Sequence, residues 1–221
     1  MTAGIVRAYV TTLLFAITAS VILCVNHGLA EEYRVQDGGT EPGKVILGMR
    51  AGFAPVTQQV SGNALVPGGT STDVGSLVNF LGFYSVNRWL LVGMMLEWER
   101  HGMSLDRTGA DLGHQDTVSV LPTLEIRPVR FGPIVPYVNM SMGVNVNSFG
   151  EERNVAKISP SNTFAWRVGW GADWMLTPKF AVNTEMGYKR NDGHATLANG
   201  ARVNDWNASS FGFLFGVKLF F

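Results

Sequence analysis

The chain has 221 residues, with 17 basic residues against 17 acidic ones and a formal charge of zero. That balance gives no electrostatic footprint for a nucleic-acid partner, and the length fits a single domain. Only 15% of the residues are charged while 46% are hydrophobic, and the single cysteine, Cys24, excludes a disulfide within the chain.

The first 30 residues carry Arg7, then an apolar run over residues 13–25, then "NHGLA" ahead of Glu31 and Glu32. A basic residue, an apolar core and a small-residue end make a secretory signal peptide, with Gly28-Leu29-Ala30 as the cleavage site. The core of about 13 residues falls short of the roughly 20 that a spanning helix needs. Cleavage removes Cys24 as well, so the exported chain must be stabilised by something other than disulfides. Residues 31–43 read as a flexible periplasmic segment, which leaves residues 44–221 as the folded domain.

From Lys44 onward the pattern is alternation, the period-two signature of a strand with two different environments. In "KVILGMRAGFA", Val45, Leu47, Met49, Ala51 and Phe53 oppose Lys44, Gly48, Arg50 and Gly52. A second segment, residues 74–84, is apolar but blurred. Over residues 89–101, Leu90, Val92, Met94, Leu96 and Trp98 oppose Glu97, Glu99 and His101. Over residues 117–127, Val118, Val120, Pro122, Leu124 and Ile126 oppose Ser119, Glu125 and Arg127. "YVNMSMGVNVN", "FAWRVGWGADWM", "FAVNTEMGYK" and "SFGFLFGVKLFF" repeat the arrangement at residues 137–147, 164–175, 180–189 and 210–221. Eight strands suit the closure of an up-and-down antiparallel barrel. The links between them alternate long and short, as in "GMSLDRTGADLGHQ" against "TPK".

A soluble eight-stranded barrel would share this connectivity, so the bulky face decides. Phe164, Trp166, Val168, Trp170 and Trp174, with the matching faces of seven other strands, exceed what the interior of an eight-stranded barrel holds. The opposite face, Ala165, Arg167, Gly169, Gly171 and Asp173, is small and polar. The aromatic face therefore belongs in lipid. Eleven residues at about 3.3 Å each, tilted by about 45°, cover roughly 25 Å, the height of the apolar band. The fold expected is all-β: an eight-stranded antiparallel transmembrane β-barrel. Trp98, Trp166, Trp174, Trp206, Tyr84 and Tyr188, near strand ends, are expected at the interfacial girdles.

The order and spacing of "VLPTL" at 120–124, "VPYV" at 135–138, "RVGWGADWML" at 167–176 and the alternation ending in Phe221 resemble Gram-negative outer-membrane barrels. Among these the chain is most similar to the OmpW family, with OmpA-like and OmpX-like barrels as competitors. The resemblance implies location in the outer membrane with periplasmic termini, and surrounding membrane lipids and lipopolysaccharide as partners. It also implies recognition of Phe221, Leu219 and Val217 by the barrel-assembly machinery, and sideways passage of small apolar molecules into the membrane.

The inward charges expected are Lys44, Arg50, Glu97, Glu99, Glu125, Arg127, Arg167, Asp173, Glu185, Lys189 and Lys218. Six positive against five negative is near balance. Buried charges must be paired, so a network filling the lumen is expected in place of a wide aqueous pore. Pro122 lacks an N–H and marks either a lateral opening or a bulge. Two function classes follow: a narrow conduit for small apolar molecules, or a non-conducting structural or adhesive barrel acting through its long loops. A lipid-modifying enzyme would have to use His101, Ser104, Asp106, His114 or His194, and none of these sits in a nucleophile motif. No cofactor is expected, and the spacing of His101 and His114 has no metal-ligand logic.

Overall fold

The period-two segments become eight long strands. A computed structural model describes residues 36–37, 40–57, 70–105, 108–151 and 157–221; the expected signal peptide lies outside them. The strands are β1 (Val45–Ala54), β2 (Gly75–Asn87), β3 (Leu90–Leu105), β4 (Asp111–Ile126), β5 (Ile134–Glu151), β6 (Thr163–Thr177), β7 (Phe180–Arg190) and β8 (Ser210–Phe220). Each pairs antiparallel with its neighbour in sequence. β8 then pairs with β1, from Phe213↔Phe53 to Phe220↔Ile46, and closes the sheet on itself. Closure leaves no edge, which is the condition for a sheet to sit in hydrocarbon.

The two faces of the wall separate as the side-chain chemistry requires. Along β6, Phe164 is 63% exposed and Trp174 50%, while Ala165 and Asp173 are fully buried. Met49, Phe80, Leu96, Met140 and Phe215 continue the exposed apolar belt around the barrel. Such a belt over a closed barrel is stable only in a bilayer. The blurred segment in β2 resolves in the same way: Leu77, Asn79, Leu81, Phe83 and Ser85 point in, and Phe80 and Tyr84 point out. Its inward face mixes apolar with polar residues, which hides the alternation.

Four features depart from the sequence reading. The strands at the long-loop end run further than the alternation: β3 continues to Leu105, β4 begins at Asp111 and β5 reaches Glu151. There the outer face carries Arg100, whose Nε donates to Asp116 Oδ1 at 2.7 Å. Once the wall has risen past the lipid, pairing persists without an apolar face to announce it.

The stretch expected as a loop after β7 folds into a hairpin, Asp192–Leu197 with Arg202–Asn207, and Ile158–Pro160 adds a third strand. Its turn carries Gly200 at φ +81°, the left-handed position of a three-residue hairpin loop that favours glycine. Gly200 N donates to Leu197 O and Leu197 N to Ala201 O, both at 2.9 Å.

Trp206 belongs to that hairpin and not to a girdle. It is 1% exposed, packed with Met103, Leu112, Ile158, Ala195 and Ala208.

Finally, part of the expected tail is tied down. Gln36–Asp37 pairs with Val129–Arg130 beside the β4–β5 turn, and the buried Thr40 hydroxyl accepts a hydrogen bond from Arg127 Nη1 at 3.0 Å. The Arg127 guanidinium, buried at the short-turn end, needs an acceptor that the tail supplies.

Pro122 lies on the lipid face of β4, opposite Met94 of β3. Toward β5 the ladder passes from Val120↔Val144 to Thr123↔Ser141, leaving out the rungs of Leu121 and Pro122. The register is the same above and below the gap, so the position is an interrupted rung and not a bulge. The strands remain close there: a Cβ on Gly143 would stand 1.9 Å from the Val120 carbonyl oxygen.

Candidate functional site

The inward faces stack in layers along the barrel axis. Nearest the short turns, Arg127 Nε donates to Glu125 Oε1 at 2.7 Å, and Arg127 Nη2 reaches Asp173 Oδ2 at 2.6 Å. Lys218 Nζ lies 3.3 Å from Glu125 and 3.1 Å from Asp173, and 4.1 Å from the centre of the Tyr137 ring. The next layer centres on Glu185. It pairs with Arg50, accepts from Tyr137 Oη at 2.9 Å and from Asn139 Nδ2 at 2.6 Å. Arg167 Nη2 stands 2.6 Å from its other oxygen, off hydrogen-bond alignment. Above it, Lys189 bridges Glu97 at 3.0 Å and Glu99, and His101 Nε2 lies 2.5 Å from Glu99 Oε1.

Arg50, Arg127, Arg167, Lys189 and Lys218 thus meet Glu97, Glu99, Glu125, Asp173 and Glu185, and none of the ten is more than 2% exposed. Equal numbers of opposite charges, each with several partners from different strands, are what makes their burial affordable. Lys44 stands apart: its side chain is 37% exposed and pairs with Glu41 at 3.7 Å outside the lumen. Asn79, Asn139, Asn183 and Tyr137 were not singled out by the sequence reading, yet they hold the network. Asn79 takes Arg50 Nη2 at 3.0 Å, and Asn183 Nδ2 donates to Asp173 at 2.5 Å. Their only sequence signal is polar character on the inward phase of β2, β5 and β7.

Above the charges lies an uncharged polar layer. Thr117 Oγ1 donates to Asn147 Oδ1 at 2.8 Å, Asn147 and Asn191 exchange bonds at 2.8 and 3.0 Å, and Ser119 Oγ donates to Asn145 at 2.7 Å. Above that, at the long-loop mouth, sits the apolar cluster around Trp206, edged by Val56, Leu105, Phe149 and Leu197.

The candidate hydrolytic residues are not brought together. His101 faces the lumen, whereas His114 is on the outer surface, 3.4 Å from Asp116. His194 Nδ1 meets Arg202 Nη2 in the hairpin at 3.0 Å. Ser104 sits at the end of β3, and Asp106 lies outside the described residues. Phe221 N donates to Val45 O at 2.9 Å, beside lipid-facing Val217 and Leu219.

No protein-family model and no curated protein sequence matches the chain. Solved structures do. The outer membrane protein OprG from Pseudomonas aeruginosa superimposes with a TM-score of 0.66 at 13% identity, over 84% of this chain and 99% of that one. The chain is an eight-stranded outer-membrane β-barrel. Outer membrane protein AlkL, solved in lipid bilayers, gives a TM-score of 0.53 at 13% identity, covering 87% of this chain and 97% of AlkL. Neisserial surface protein A gives 0.51 at 13% identity, over 82% and 99%. These are likenesses of fold, and the OmpW-type resemblance of the sequence is consistent with them. The belt and the fold together locate the barrel in the outer membrane of a Gram-negative bacterium, where long loops face outward and short turns face the periplasm.

Proposed function

We propose that the barrel is a narrow conduit that takes up small apolar molecules at the long-loop mouth and releases them sideways into the membrane. The observation that carries this reading is the stacking of an apolar mouth, Met103, Leu112, Ile158 and Trp206, above a lumen filled with paired charges. An apolar solute gains by leaving water at the mouth. Beneath it lies a floor where each of the ten buried charges stands against an opposite one and where an apolar guest would break those contacts.

The exit on this reading is the wall. The interrupted rung at Leu121 and Pro122 is backed inside by the apolar cluster of Met95, Leu121 and Ala165 and flanked outside by Met142. The partners are the lipids and lipopolysaccharide around the belt, and the assembly machinery reading Val217, Leu219 and Phe221.

The test is uptake of N-phenylnaphthylamine by liposomes bearing lipopolysaccharide, with conductance recorded on the same protein. Wild type accelerates uptake over protein-free liposomes without large conductance steps, and Pro122→Val, which restores an N–H, slows it. Uptake equal to that of empty liposomes sinks the conduit reading; an unchanged Pro122→Val removes the lateral exit. The second reading, a non-conducting structural or adhesive barrel, draws on the three-stranded sheet at the long-loop end, a folded platform that a purely structural wall does not need.

A further inference from the structure

The three short turns of the barrel repeat one dipeptide, a cation followed by an aromatic residue: Arg88-Trp89 before β3, Arg130-Phe131 before β5 and Lys179-Phe180 at the start of β7. Residues 86–90, 127–133 and 177–180 contain no aspartate or glutamate. Each turn is held by its own hydrogen bonds. Trp89 N and Leu90 N both donate to Asn87 Oδ1 at 2.9 Å, Phe131 and Ile134 exchange backbone bonds at 2.8 and 2.9 Å, and Lys179 N donates to Thr177 Oγ1 at 3.2 Å.

These turns lie flush with the apolar belt. Trp89 is 51% exposed and Phe131 45%, and Val86, Ile134 and Leu176 carry the lipid face up to them. A cation one residue away, about 3.8 Å along the chain, therefore stands where hydrocarbon gives way to headgroups. Arg88 and Lys179 are exposed and Arg130 is half-buried. None of the three forms an ion pair among the described residues; Arg130 Nε donates to Gly132 O at 2.7 Å, which leaves its charge uncompensated. Together with Lys44, this end has four cations outside the lumen against Asp37 and Glu41 among the described residues, and Glu41 meets Lys44. At the long-loop end the arginines beside the belt are already engaged, Arg100 with Asp116 at 2.7 Å and Arg190 with Asp192 at 2.6 Å.

We propose that the short-turn rim is a docking surface for anionic phospholipid headgroups, with phosphatidylglycerol preferred to phosphatidylcholine. Phosphate is the anion at that depth, each Lys or Arg near it gains by the attraction, and the neighbouring ring packs in the interfacial layer. A choline headgroup brings its own cation to the phosphate, whereas a glycerol headgroup leaves that charge to the protein. The rim belongs to the leaflet at the short turns, so its partner is phospholipid and not lipopolysaccharide. Docking there fixes the depth of the barrel, independently of any solute passage.

The experiment places the refolded full chain in phosphatidylcholine bilayers carrying a trace of spin-labelled phosphatidylglycerol or, separately, spin-labelled phosphatidylcholine. The motionally restricted fraction is read by electron paramagnetic resonance. Wild type should restrict the glycerol lipid about twofold or more over the choline lipid at low salt, and the preference should shrink at about 1 M salt, where screening reaches within roughly 3 Å. Arg88→Gln combined with Arg130→Gln and Lys179→Gln should abolish the preference while the barrel keeps its heat-modifiable mobility. Arg190→Gln with Asp192→Asn, which deletes an outer pair, should leave it unchanged. Equal restriction of the two lipids by wild type overturns the proposal without recourse to any variant, and so does a preference that survives the triple change in a folded barrel. Inorganic phosphate should weaken the preference no more than chloride does at equal ionic strength; stronger displacement would make the rim a site for free phosphate and overturn the lipid assignment.

Discussion

Arg50 of β1 and Glu185 of β7 meet inside the barrel as an ion pair, with side chains 1% and 0% exposed. The strands lie on either side of β8, so the pair spans the barrel closure, and Glu185 holds Arg167 as well. Removing one member of a buried pair leaves an uncompensated charge that costs about 3–5 kcal/mol. Glu185→Leu should therefore lower unfolding stability in vesicles by that order. Arg50→Leu combined with Glu185→Leu should cost less than the sum of the single changes. Additive losses in urea titrations would show that the two do not act as a pair.

The lipid face sets a second expectation. Met140 lies midway along the exposed apolar run of β5, from Ile134 to Val146, opposite Val168. Met140→Arg near the bilayer midplane should cost about 2–4 kcal/mol. Phe131→Arg, in the short turn after β4, should cost about 1 kcal/mol or less, because its depth is interfacial. Equal costs at the two sites, read by urea unfolding, would contradict the depth assignment.

The approach of β4 and β5 at Gly143 is tighter than any side chain allows. A Cβ there would stand 1.9 Å from the Val120 carbonyl oxygen, and the obstacle is backbone that cannot rotate away. Gly143→Val should drive the strands apart beside the interrupted rung, so that most of the protein fails to acquire heat-modifiable mobility on refolding. Gly109→Val is the control: it has nothing within 4 Å, although its φ of +67° is strained. It should fold with only a modest loss.

Outside the membrane, Arg190 holds Asp192 through hydrogen bonds at 2.6 and 2.7 Å, which lower the Asp192 pKa below its ordinary value. A folded-state pKa below the unfolded one stabilises the protein above the usual carboxylate range, and that contribution is lost as pH falls through the folded value. Both side chains are more than a third exposed, so screening holds the effect to about 0.5 kcal/mol or less. Asp192→Asn should thus be marginally less stable at neutral pH and indistinguishable from wild type once Asp192 is protonated. A gap that widens on acidification would reverse the sign of this linkage.

The wall of this barrel is legible in the sequence because lipid and lumen impose opposite chemistry on alternate residues: Phe164 beside Ala165, Met140 beside Ser141. Where one of those environments ends, so does the signal. Arg100 and Asp116 pair on β3 and β4 above the lipid, where a polar outer face hides a strand. The hairpin around Asn199 and Gly200 has a recognisable turn, but its flanks do not alternate, and Trp206 looks like a girdle residue until tertiary packing turns it inward. Inward charges such as Arg167 and Asp173 can be read from strand phase. Which carboxylate each cation meets cannot, because Arg50 finds Glu185 only through the register of the closing strands, and no local pattern encodes it.

The most direct test of a lipid-facing belt around a charge-filled lumen is a single-cysteine scan of residues 164–174 on β6, in an otherwise cysteine-free chain. Spin labels are read against oxygen and against a water-soluble nickel complex. Labels replacing Phe164, Val168 and Trp170 should be accessible to oxygen, and labels replacing Ala165, Gly169 and Asp173 to neither probe. Access of the nickel complex to the second set in a folded barrel would mean an open aqueous lumen, and would contradict the account.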